Sequence, residues 1–233
     1  MAGFAASLRH AAGSLVSAVA NPRTRSQWIT RLTAGGAVHQ DAAVTRADRY
    51  PRLFGAVRAA LPEPRAILSF GCSSGEEVVS LRGCFPNARI TGAEINKTML
   101  ARCRALPVDP GTNFIHSTRD GVAAHGPYDA IFCMAVLQRR PHWVESSGLT
   151  DLSRHYPFAR FAEEIAFLAG QLAPGGLLIV EHSQYRVEDV AAGLEPVPGD
   201  GTFLAKGPRF DPTGTRIAPQ PIVSRIFRKI SAS

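Results

Sequence analysis

From Ala66 onward, short apolar runs alternate with stretches of helical periodicity, and this alternation constrains the fold more than any other feature. The pattern predicts strands over 66–70, 88–94, 112–116, 128–134 and 177–181, and helices over 76–81, 96–106 and 158–172. A shorter helix over 187–192 and late strands over 202–205 and 221–229 follow. Strands separated by helices pair in parallel, with helices packed on both sheet faces. The sequence therefore predicts an α/β fold with a doubly wound, mostly parallel sheet.

The chain before this alternation has a different pattern, with helical periodicity and no strands. Apolar residues recur at helical spacing over residues 1–20, and again over 49–61. Pro62 and Pro64 then end the helical pattern. We expect an N-terminal helical extension over residues 1–65 and a second domain over 66–233. Because no positive charge precedes the apolar part of residues 1–20, that stretch is interpreted as a helix and not as a signal peptide.

The amino-acid composition is that of a globular protein and does not by itself indicate a function. Hydrophobic residues make up 45% of the 233 residues and charged residues 19%, which is ordinary for a globular protein. No apolar run reaches the length of a membrane span. The four cysteines form no CxxC pair, so we expect free thiols in a reducing, cytoplasmic setting.

The net charge is +7, and the excess of basic residues is concentrated at the two ends of the chain. It indicates either an anionic partner or solvated arginines on helix faces, and the second interpretation is favoured.

The strongest site signal is a turn of small residues between the first predicted strand and its helix. Gly71 and Gly75 let the backbone approach a ligand closely. In open α/β sheets, ligands bind at the carboxyl ends of the strands, beside such a turn. Glu94 ends the next predicted strand, where a carboxylate can accept hydrogen bonds from ribose hydroxyls. The spacing indicates a site for a nucleoside-containing cofactor.

Two cofactor classes use this plan, dinucleotides and S-adenosylmethionine (SAM). The dinucleotide fingerprint G-x-G-x-x-G would place glycines where Ser73 and Glu76 stand. Glu76 and Glu77 also open the predicted helix, where they would repel a pyrophosphate but suit a cationic cofactor. Glu77 has a second interpretation as the capping-box partner of Ser74. The residues favour SAM over a dinucleotide.

Four segments resemble the ordered motifs of class I SAM-dependent methyltransferases: FGCSSGEE, GAEINKTML, YDAIFCMAVL and LAPGGLLIVEH. They occur in the family's order across residues 66–182. The first segment is nearest the GCSTGEE variant of chemotaxis-receptor methyltransferases, but the similarity to that group stops there. The resemblance implies a Rossmann-like domain with SAM as cofactor and S-adenosylhomocysteine as product.

The resemblance also implies roles for individual residues. The methionine part of SAM would lie against Gly71, Cys72, Ser73 and Gly75. Glu94 would bind the ribose, and Ile95 would pack on the adenine. The remaining predicted contacts are Ser117 and Thr118 near the adenine amino group, and Met134 and Ala135 beside the transferred methyl. Cys72 and Cys133 are interpreted as small fillers.

A general base for the acceptor is expected beyond the fourth and fifth strands. His182 follows the fifth strand and titrates near neutral pH, so it is the first candidate, with orientation of the acceptor as its alternative role. Tyr185 and His155 are further candidates. The stretch 139–157 is interpreted as an acceptor-binding lid or as an exposed loop. No histidine or acid spacing indicates a metal site.

The predicted activity is methyl transfer to oxygen or nitrogen of a small or medium-sized acceptor, either a small molecule or a peptide, with an anionic acceptor as one option. One alternative is an RNA methyltransferase, which the basic ends favour, although no RNA-binding module or Asn-Pro-Pro-Tyr-type motif accompanies them. Another is a non-catalytic protein that keeps the SAM-binding fold. The acceptor and the oligomeric state do not follow from the sequence.

Overall fold

The computed structural model describes residue 30, residues 49–198, the backbone of 203–204 and residues 207–230. The predicted helix over 1–20 and most of the predicted extension before residue 49 lie outside the described residues, so the proposed division at residue 65 stays a prediction. None of the helices in the described ranges has the length and apolarity needed to cross a membrane.

Helices and strands alternate through the described chain. The helices are α1 Pro51–Ala60, α2 Glu76–Cys84, α3 Lys97–Arg104, α4 Arg119–Ala124, α5 Pro141–Ser146 and α6 Phe158–Gln171. The strands are β1 Ala66–Phe70, β2 Arg89–Glu94, β3 Thr112–His116, β4 Tyr128–Met134, β5 Leu172–Glu181, β6 Leu194–Pro196, β7 Phe203–Leu204, β8 Ile222–Val223 and β9 Ile226–Lys229.

Seven strands form one sheet in the order β3-β2-β1-β4-β5-β9-β6. The first five strands are parallel to one another, and β9 runs antiparallel to both β5 and β6. Strands β7 and β8 form a separate antiparallel pair. Because the strand order reverses direction between β1 and β4, the carboxyl ends of these two strands mark the switch point where ligands bind in such sheets. The prediction of a doubly wound, mostly parallel sheet is confirmed.

The core has two layers, one on each face of the sheet. One layer packs Ile67 of β1 and Phe132 of β4 against residues of α1, α2 and α3. The other packs Leu68 and Ile131 against residues of α4, α5 and α6. Neighbouring strand residues point to opposite faces, and both faces are covered by helices, so these strands are apolar along nearly their whole length.

Several element boundaries differ from the predictions. The bounds of β1, β3 and β4 coincide with the predicted ones, whereas α2 continues to Cys84. Strand β5 begins at Leu172, because residues 173–176 form a bulge between the pairs Tyr128–Leu172 and Ala130–Leu177. Helices α4 and α5 and strand β6 were not predicted. In α5, Pro141 occupies the first turn, where proline starts a helix instead of ending one.

Candidate functional site

The glycine turn leaves β1 at its carboxyl end and is held against β2. Gly71 has a φ of +76°, and a Cβ there would lie 2.5 Å from Cγ2 of Val136 in the loop after β4. The N–H groups of Gly71 and Cys72 both donate to the carbonyl of Ala93, at 2.8 and 3.1 Å. Gly71 is thus required both by its backbone conformation and by the close approach of the neighbouring loop.

Glu94 connects the turn to the end of β2. Its Oε2 accepts a 2.8 Å hydrogen bond from the N–H of Ser73, and its Oε1 accepts one of 2.6 Å from Asn96 N–H. Burial raises the pKa of Glu94, while these backbone hydrogen bonds favour its charged form. Each carboxylate oxygen has a further lone pair. Glu94 can therefore hold the turn and still accept hydrogen bonds from a ligand.

Ser73 presents the clearest sign that this turn faces a ligand. Its φ is +53°, in the left-handed region that few residues other than glycine adopt. Its hydroxyl oxygen is buried and has no hydrogen-bond partner in the described part of the chain. Because buried hydroxyls are normally hydrogen-bonded, a polar ligand atom would satisfy this group. The residues present therefore fit a polar cofactor in the turn.

Cys72 and Gly75 form the inner wall of the turn. The Cys72 thiol lies 3.9 Å from the thiol of Cys103 on α3, which together with burial raises its pKa. A Cβ at Gly75 would lie 2.6 Å from Leu106. Cys133 is also fully buried. These placements are those of packed filler residues and agree with the prediction for the two cysteines.

The residues predicted for the adenine end follow β2 and β3. Ile95 is half-buried, and its carbonyl contacts Nε2 of His116 at 3.1 Å. The N–H of Ser117 donates to the carbonyl of Glu94 at 3.1 Å. Thr118 is the N-cap of α4 and accepts from Gly121 N–H at 3.1 Å, so its hydroxyl oxygen already has a structural role. Contact of either hydroxyl with a ligand stays a prediction.

The end of β4 is tied to the end of β5. Met134 and Ala135 are buried, Ala135 has a φ of +59°, and its N–H donates to the carbonyl of Glu181 at 2.8 Å. Beyond them, the amide of Gln184 accepts from Arg139 N–H at 2.7 Å and donates to the Arg139 carbonyl at 2.9 Å. The loop after β4 and the loop after β5 are thus joined by one side chain.

Of the three candidate bases, His182 lies directly after the carboxyl end of the parallel strand β5. It follows β5, has a φ of +57°, and keeps about 24% of its side chain exposed. Its Nε2 lies 3.5 Å from Oε1 of Glu181, and the other oxygen of Glu181 lies 2.8 Å from Nε of Arg225. The ring of Tyr50 lies 6.0 Å from the imidazole.

The other two candidates are in different surroundings. Tyr185 is fully buried, and its hydroxyl donates a 2.6 Å hydrogen bond to the carbonyl of Tyr156. It also packs against the rings of Phe158 and Phe161. His155 is exposed and lies edge-on to Trp143, with ring centroids 5.1 Å apart. These contacts favour a packing role for Tyr185 and a surface position for His155.

Sequence reasoning missed the position of Glu77. Its carboxylate accepts a 2.7 Å hydrogen bond from the hydroxyl of Ser69 on β1. The capping-box interpretation is wrong, because the hydroxyl of Ser74 donates to Glu76 at 3.0 Å and the N-cap position of α2 belongs to Gly75. Although Glu77 keeps some exposed surface as a residue, its carboxyl group is enclosed, and this burial raises its pKa to about 7.

Tyr50 was also missed, because it lies before α1 and far from the motifs in sequence. Its hydroxyl is buried and has no hydrogen-bond partner among the residues that the structure describes. Burial raises its pKa, and the charges of both Glu181 and Glu77 act in the same direction. Tyr50 therefore places a buried hydroxyl on a ring that lies beside His182.

A pocket lies beside His182, between the end of β5 and the segment before β9. Its ionisable lining residues, apart from the buried Tyr185, are Glu181, His182, Arg186, Glu188, Arg209 and Arg225. Arg209 is only 6% exposed, and burial lowers its pKa to about 10, so it remains charged at neutral pH. Within the described ranges, no three His, Cys, Asp or Glu side chains gather in a way that could hold a metal ion.

Curated relatives match only part of this chain. It is 31% identical over 121 residues to a trans-aconitate 2-methyltransferase of Rhodopseudomonas palustris (strain BisB18), an alignment covering 52% of this chain and 40% of the relative. The corresponding protein of Acidovorax sp. (strain JS42) is 33% identical over 124 residues, covering 53% and 40%. The chain therefore matches about 40% of the length of these relatives.

Solved methyltransferase structures show distant likeness. CalS10, an amino pentose methyltransferase from Micromonospora echinaspora solved with SAM, is 18% identical with a TM-score of 0.45, covering 88% of this chain and 83% of that one. The plantazolicin methyltransferase BpumL, solved with a desmethylPZN analogue and SAH, is 17% identical with a TM-score of 0.44, covering 71% and 55%.

A protein-family model covers a long continuous part of the chain. A family model described as a methyltransferase domain matches residues 39–204, which is well over half of the chain. That range contains the glycine turn, Glu94 and His182. The chain belongs to the methyltransferase domain family, and its resemblance to class I SAM-dependent methyltransferases is confirmed.

Proposed function

We propose that this chain transfers the methyl group of SAM to an oxygen or nitrogen of a small or medium-sized anionic acceptor. The observation that carries the proposal is the hydrogen bond between Ser73 and Glu94, which joins the glycine turn to the end of β2. In a methyltransferase domain, this arrangement provides a polar cradle beside the switch point of the sheet. The unpartnered hydroxyl of Ser73 lies in the same cradle.

The cofactor would extend along the carboxyl edge of β1 and β2. Its methionine part would lie against the turn residues Gly71, Cys72, Ser73 and Gly75. Glu94 would accept hydrogen bonds from the ribose, and the half-buried Ile95 offers an apolar surface for the adenine. The proposed outer contacts are Ser117 and Thr118 at the adenine, and Met134 and Ala135 at the methyl end.

Bound SAM supplies an electrophilic methyl group on a cationic sulfur. The chain must then align the acceptor and, where the acceptor carries a proton, remove it. His182 is proposed to accept that proton at an imidazole nitrogen. Glu181, 3.5 Å from Nε2 of His182, would stabilise the imidazolium that results, while Arg225 holds Glu181 in place. Tyr185 and His155 are weaker candidates because of their surroundings.

An anionic acceptor is proposed chiefly from the names of the matched relatives. Arg186, Arg209 and Arg225 lie beside His182, where Arg186 is paired with Asp189 and Arg225 with Glu181; guanidinium groups bind carboxylates and phosphates well. The matched relatives are named trans-aconitate 2-methyltransferases. These relatives support a small acid over RNA as acceptor. A cytoplasmic setting is proposed because all four cysteines are free.

Two measurements test this proposal. The first is thermal unfolding with SAM, SAH, NAD and ATP, where we expect SAM and SAH alone to raise the melting temperature. Stabilisation by about 2.7 kcal/mol is expected at roughly 100-fold excess over Kd. The second is incubation with methyl-labelled SAM and a panel of organic acids, amines and RNA.

Transfer of label to an organic acid would support the favoured acceptor class. Binding of SAM without transfer to any acceptor in a cell extract would support a non-catalytic role. Label in RNA, with binding that weakens steeply as salt rises, would favour the nucleic-acid alternative. Stabilisation by NAD alone would overturn the cofactor assignment.

A further inference from the structure

Two thiols meet behind the glycine turn, one from the turn itself and one from helix α3. The Sγ atoms of Cys72 and Cys103 lie 3.9 Å apart. Both residues are buried, with 2% and 0% of their surface exposed. They are 31 positions apart in sequence, so the fold, and not a CxxC motif, brings the two sulfur atoms together. The other two cysteines lie elsewhere, Cys84 at the end of α2 and Cys133 within β4.

Cys103 also holds the backbone of the turn. Its thiol donates a 2.9 Å hydrogen bond to the carbonyl of Ser73, while the N–H of Ser73 donates to Glu94 at 2.8 Å. These two bonds flank a residue in the left-handed region, where a serine is strained. Because the proton of Cys103 is used at that carbonyl, the contact between the thiols is donated by Cys72. A change at either sulfur therefore reaches the backbone that shapes the proposed cradle.

We propose that a peroxide oxidises Cys72 and Cys103 to a reversible disulfide, and that this disulfide weakens cofactor binding at the turn. One thiolate attacks a peroxide oxygen, the O–O bond breaks, and after proton transfer a sulfenic acid and a water form. The second thiolate attacks the sulfenic sulfur and releases its oxygen as another water. Two thiols and one hydrogen peroxide thus give one disulfide and two waters. In reducing compartments, disulfides are usually transient or redox-sensing bonds of this kind.

The disulfide does not fit the shape that the turn has with free thiols. Bonded sulfur atoms lie about 2.0 Å apart, so the two must approach by roughly 1.9 Å from their separation of 3.9 Å. Cys103 also loses its thiol proton, and the carbonyl of Ser73 therefore loses its donor. The turn is drawn towards α3 at Cys72 and loses a hydrogen bond at Ser73. The inference rests on the proposed function, because the distorted segment is the proposed SAM cradle.

Burial limits when the disulfide can form. The contact with Cys103 and burial both raise the pKa of Cys72, so few thiolates exist at neutral pH while the turn is closed. Oxidation therefore requires transient opening of the ligand-free turn, and a bound cofactor should protect the pair. If only the ligand-free protein reacts, S-adenosylhomocysteine at about tenfold excess over Kd should slow disulfide formation roughly 10-fold.

Oxidation of the ligand-free protein tests the inference. The parent is treated with hydrogen peroxide, and its unreduced peptides are analysed by mass spectrometry for a link between Cys72 and Cys103. We expect this link to form and dithiothreitol to remove it. Calorimetric titration should show S-adenosylhomocysteine binding weakened by about 10-fold or more after oxidation, since the turn loses a hydrogen bond and its shape. Reduction should restore the original affinity.

Cys103→Ser and Cys84→Ser are the matched variants. A serine hydroxyl can still donate to the carbonyl of Ser73, so Cys103→Ser should bind S-adenosylhomocysteine nearly as the parent does and keep this affinity after peroxide treatment. Cys84→Ser should lose affinity on oxidation as the parent does. The inference is overturned if the oxidised parent lacks the link, if the linked protein binds normally, or if Cys103→Ser loses affinity equally on oxidation. Failure of the reduced parent to bind S-adenosylhomocysteine would instead overturn the proposed function, with the link itself still decided by mass spectrometry.

Discussion

The N–H of Ser73 donates a 2.8 Å hydrogen bond to Oε2 of Glu94, so the acid at the end of β2 holds the turn that follows β1. The same carboxylate also accepts from the N–H of Asn96, ahead of α3. Glu94 therefore fixes the backbone on both sides of the proposed cofactor as well as offering lone pairs to it. Its removal should affect both the shape of the site and the contacts within it.

Replacing Glu94 by alanine should weaken binding of SAM and S-adenosylhomocysteine by about 1–3 kcal/mol, because a charged acceptor is lost. The melting temperature of the ligand-free protein should also fall, since two N–H groups lose their partner. Calorimetric titration and thermal unfolding measure the two effects. Glu63→Ala, at an exposed loop residue, serves as control. Unchanged affinity in Glu94→Ala would remove this residue from the site.

Gly71→Val should abolish measurable cofactor binding and destabilise the fold by about 1–3 kcal/mol. The φ of +76° strains any branched residue, and the new side chain would meet Val136. Gly83→Ala is the contrasting variant, because nothing lies within 4 Å of a Cβ at this position in α2. It should leave binding intact and raise stability by about 0.5–1 kcal/mol. Urea unfolding and titration with S-adenosylhomocysteine check both variants, and tight binding by Gly71→Val would refute the proposed role of the turn.

His182→Ala should leave SAM binding nearly unchanged and lower kcat by roughly 10²–10⁴-fold, the usual contribution of a general base. Because the φ of His182 is +57°, His182→Asn is a useful second variant, since asparagine tolerates this conformation. Steady-state rates with the acceptor found by methyl labelling provide the measurement. A near-normal kcat in both variants would defeat the base assignment and point to a carboxylate acceptor, which is already ionised.

Tyr185→Phe should destabilise the protein by about 1 kcal/mol, because the buried carbonyl of Tyr156 loses its donor. The rate of methyl transfer should stay within about twofold of the parent if Tyr185 has a packing role. Chemical denaturation and steady-state kinetics are the two measurements. A hundredfold loss of kcat with unchanged stability would instead support the catalytic role predicted from the sequence.

The stability of the ligand-free protein should depend on pH through Glu77. Burial raises the pKa of this acid from 4.5 to about 7, so the folded state binds more protons than the unfolded state between these values. Stability from this group is therefore greatest below pH 4.5 and falls as pH rises to 7, by at most roughly 3 kcal/mol. Urea unfolding of the parent and Glu77→Gln at pH 5 and 7.5 isolates the effect. The stability of the parent minus that of Glu77→Gln should fall by roughly 2 kcal/mol from pH 5 to pH 7.5, and a difference that stays constant would contradict the prediction.

The sequence predicted the central part of the sheet well, because buried parallel strands are apolar along their whole length. The bounds of β1, β3 and β4 were read correctly for this reason. Helix α4 and strand β6 are too short to show a periodic pattern. The hydrogen bond of Glu77 was not predicted, because the spacing from Ser74 to Glu77 matches a capping box. The actual partner, Ser69, is brought near Glu77 only when α2 packs on the sheet. Tyr50 and Arg209 lie near His182 in the fold but far from it in sequence. Neither residue lies in a sequence motif that would have indicated this position.

The amide of Gln184 has a consequence for any attempt to exchange acceptor specificity between related domains. Both of its polar ends bond to the backbone of Arg139, and the residue is only 3% exposed. A graft of the loop after β4 alone, if its backbone follows a different path, would leave a buried amide unsatisfied, at a cost of about 1–3 kcal/mol per lost partner. The two loops therefore form a single transferable module, and a functional chimera has to carry both of them together.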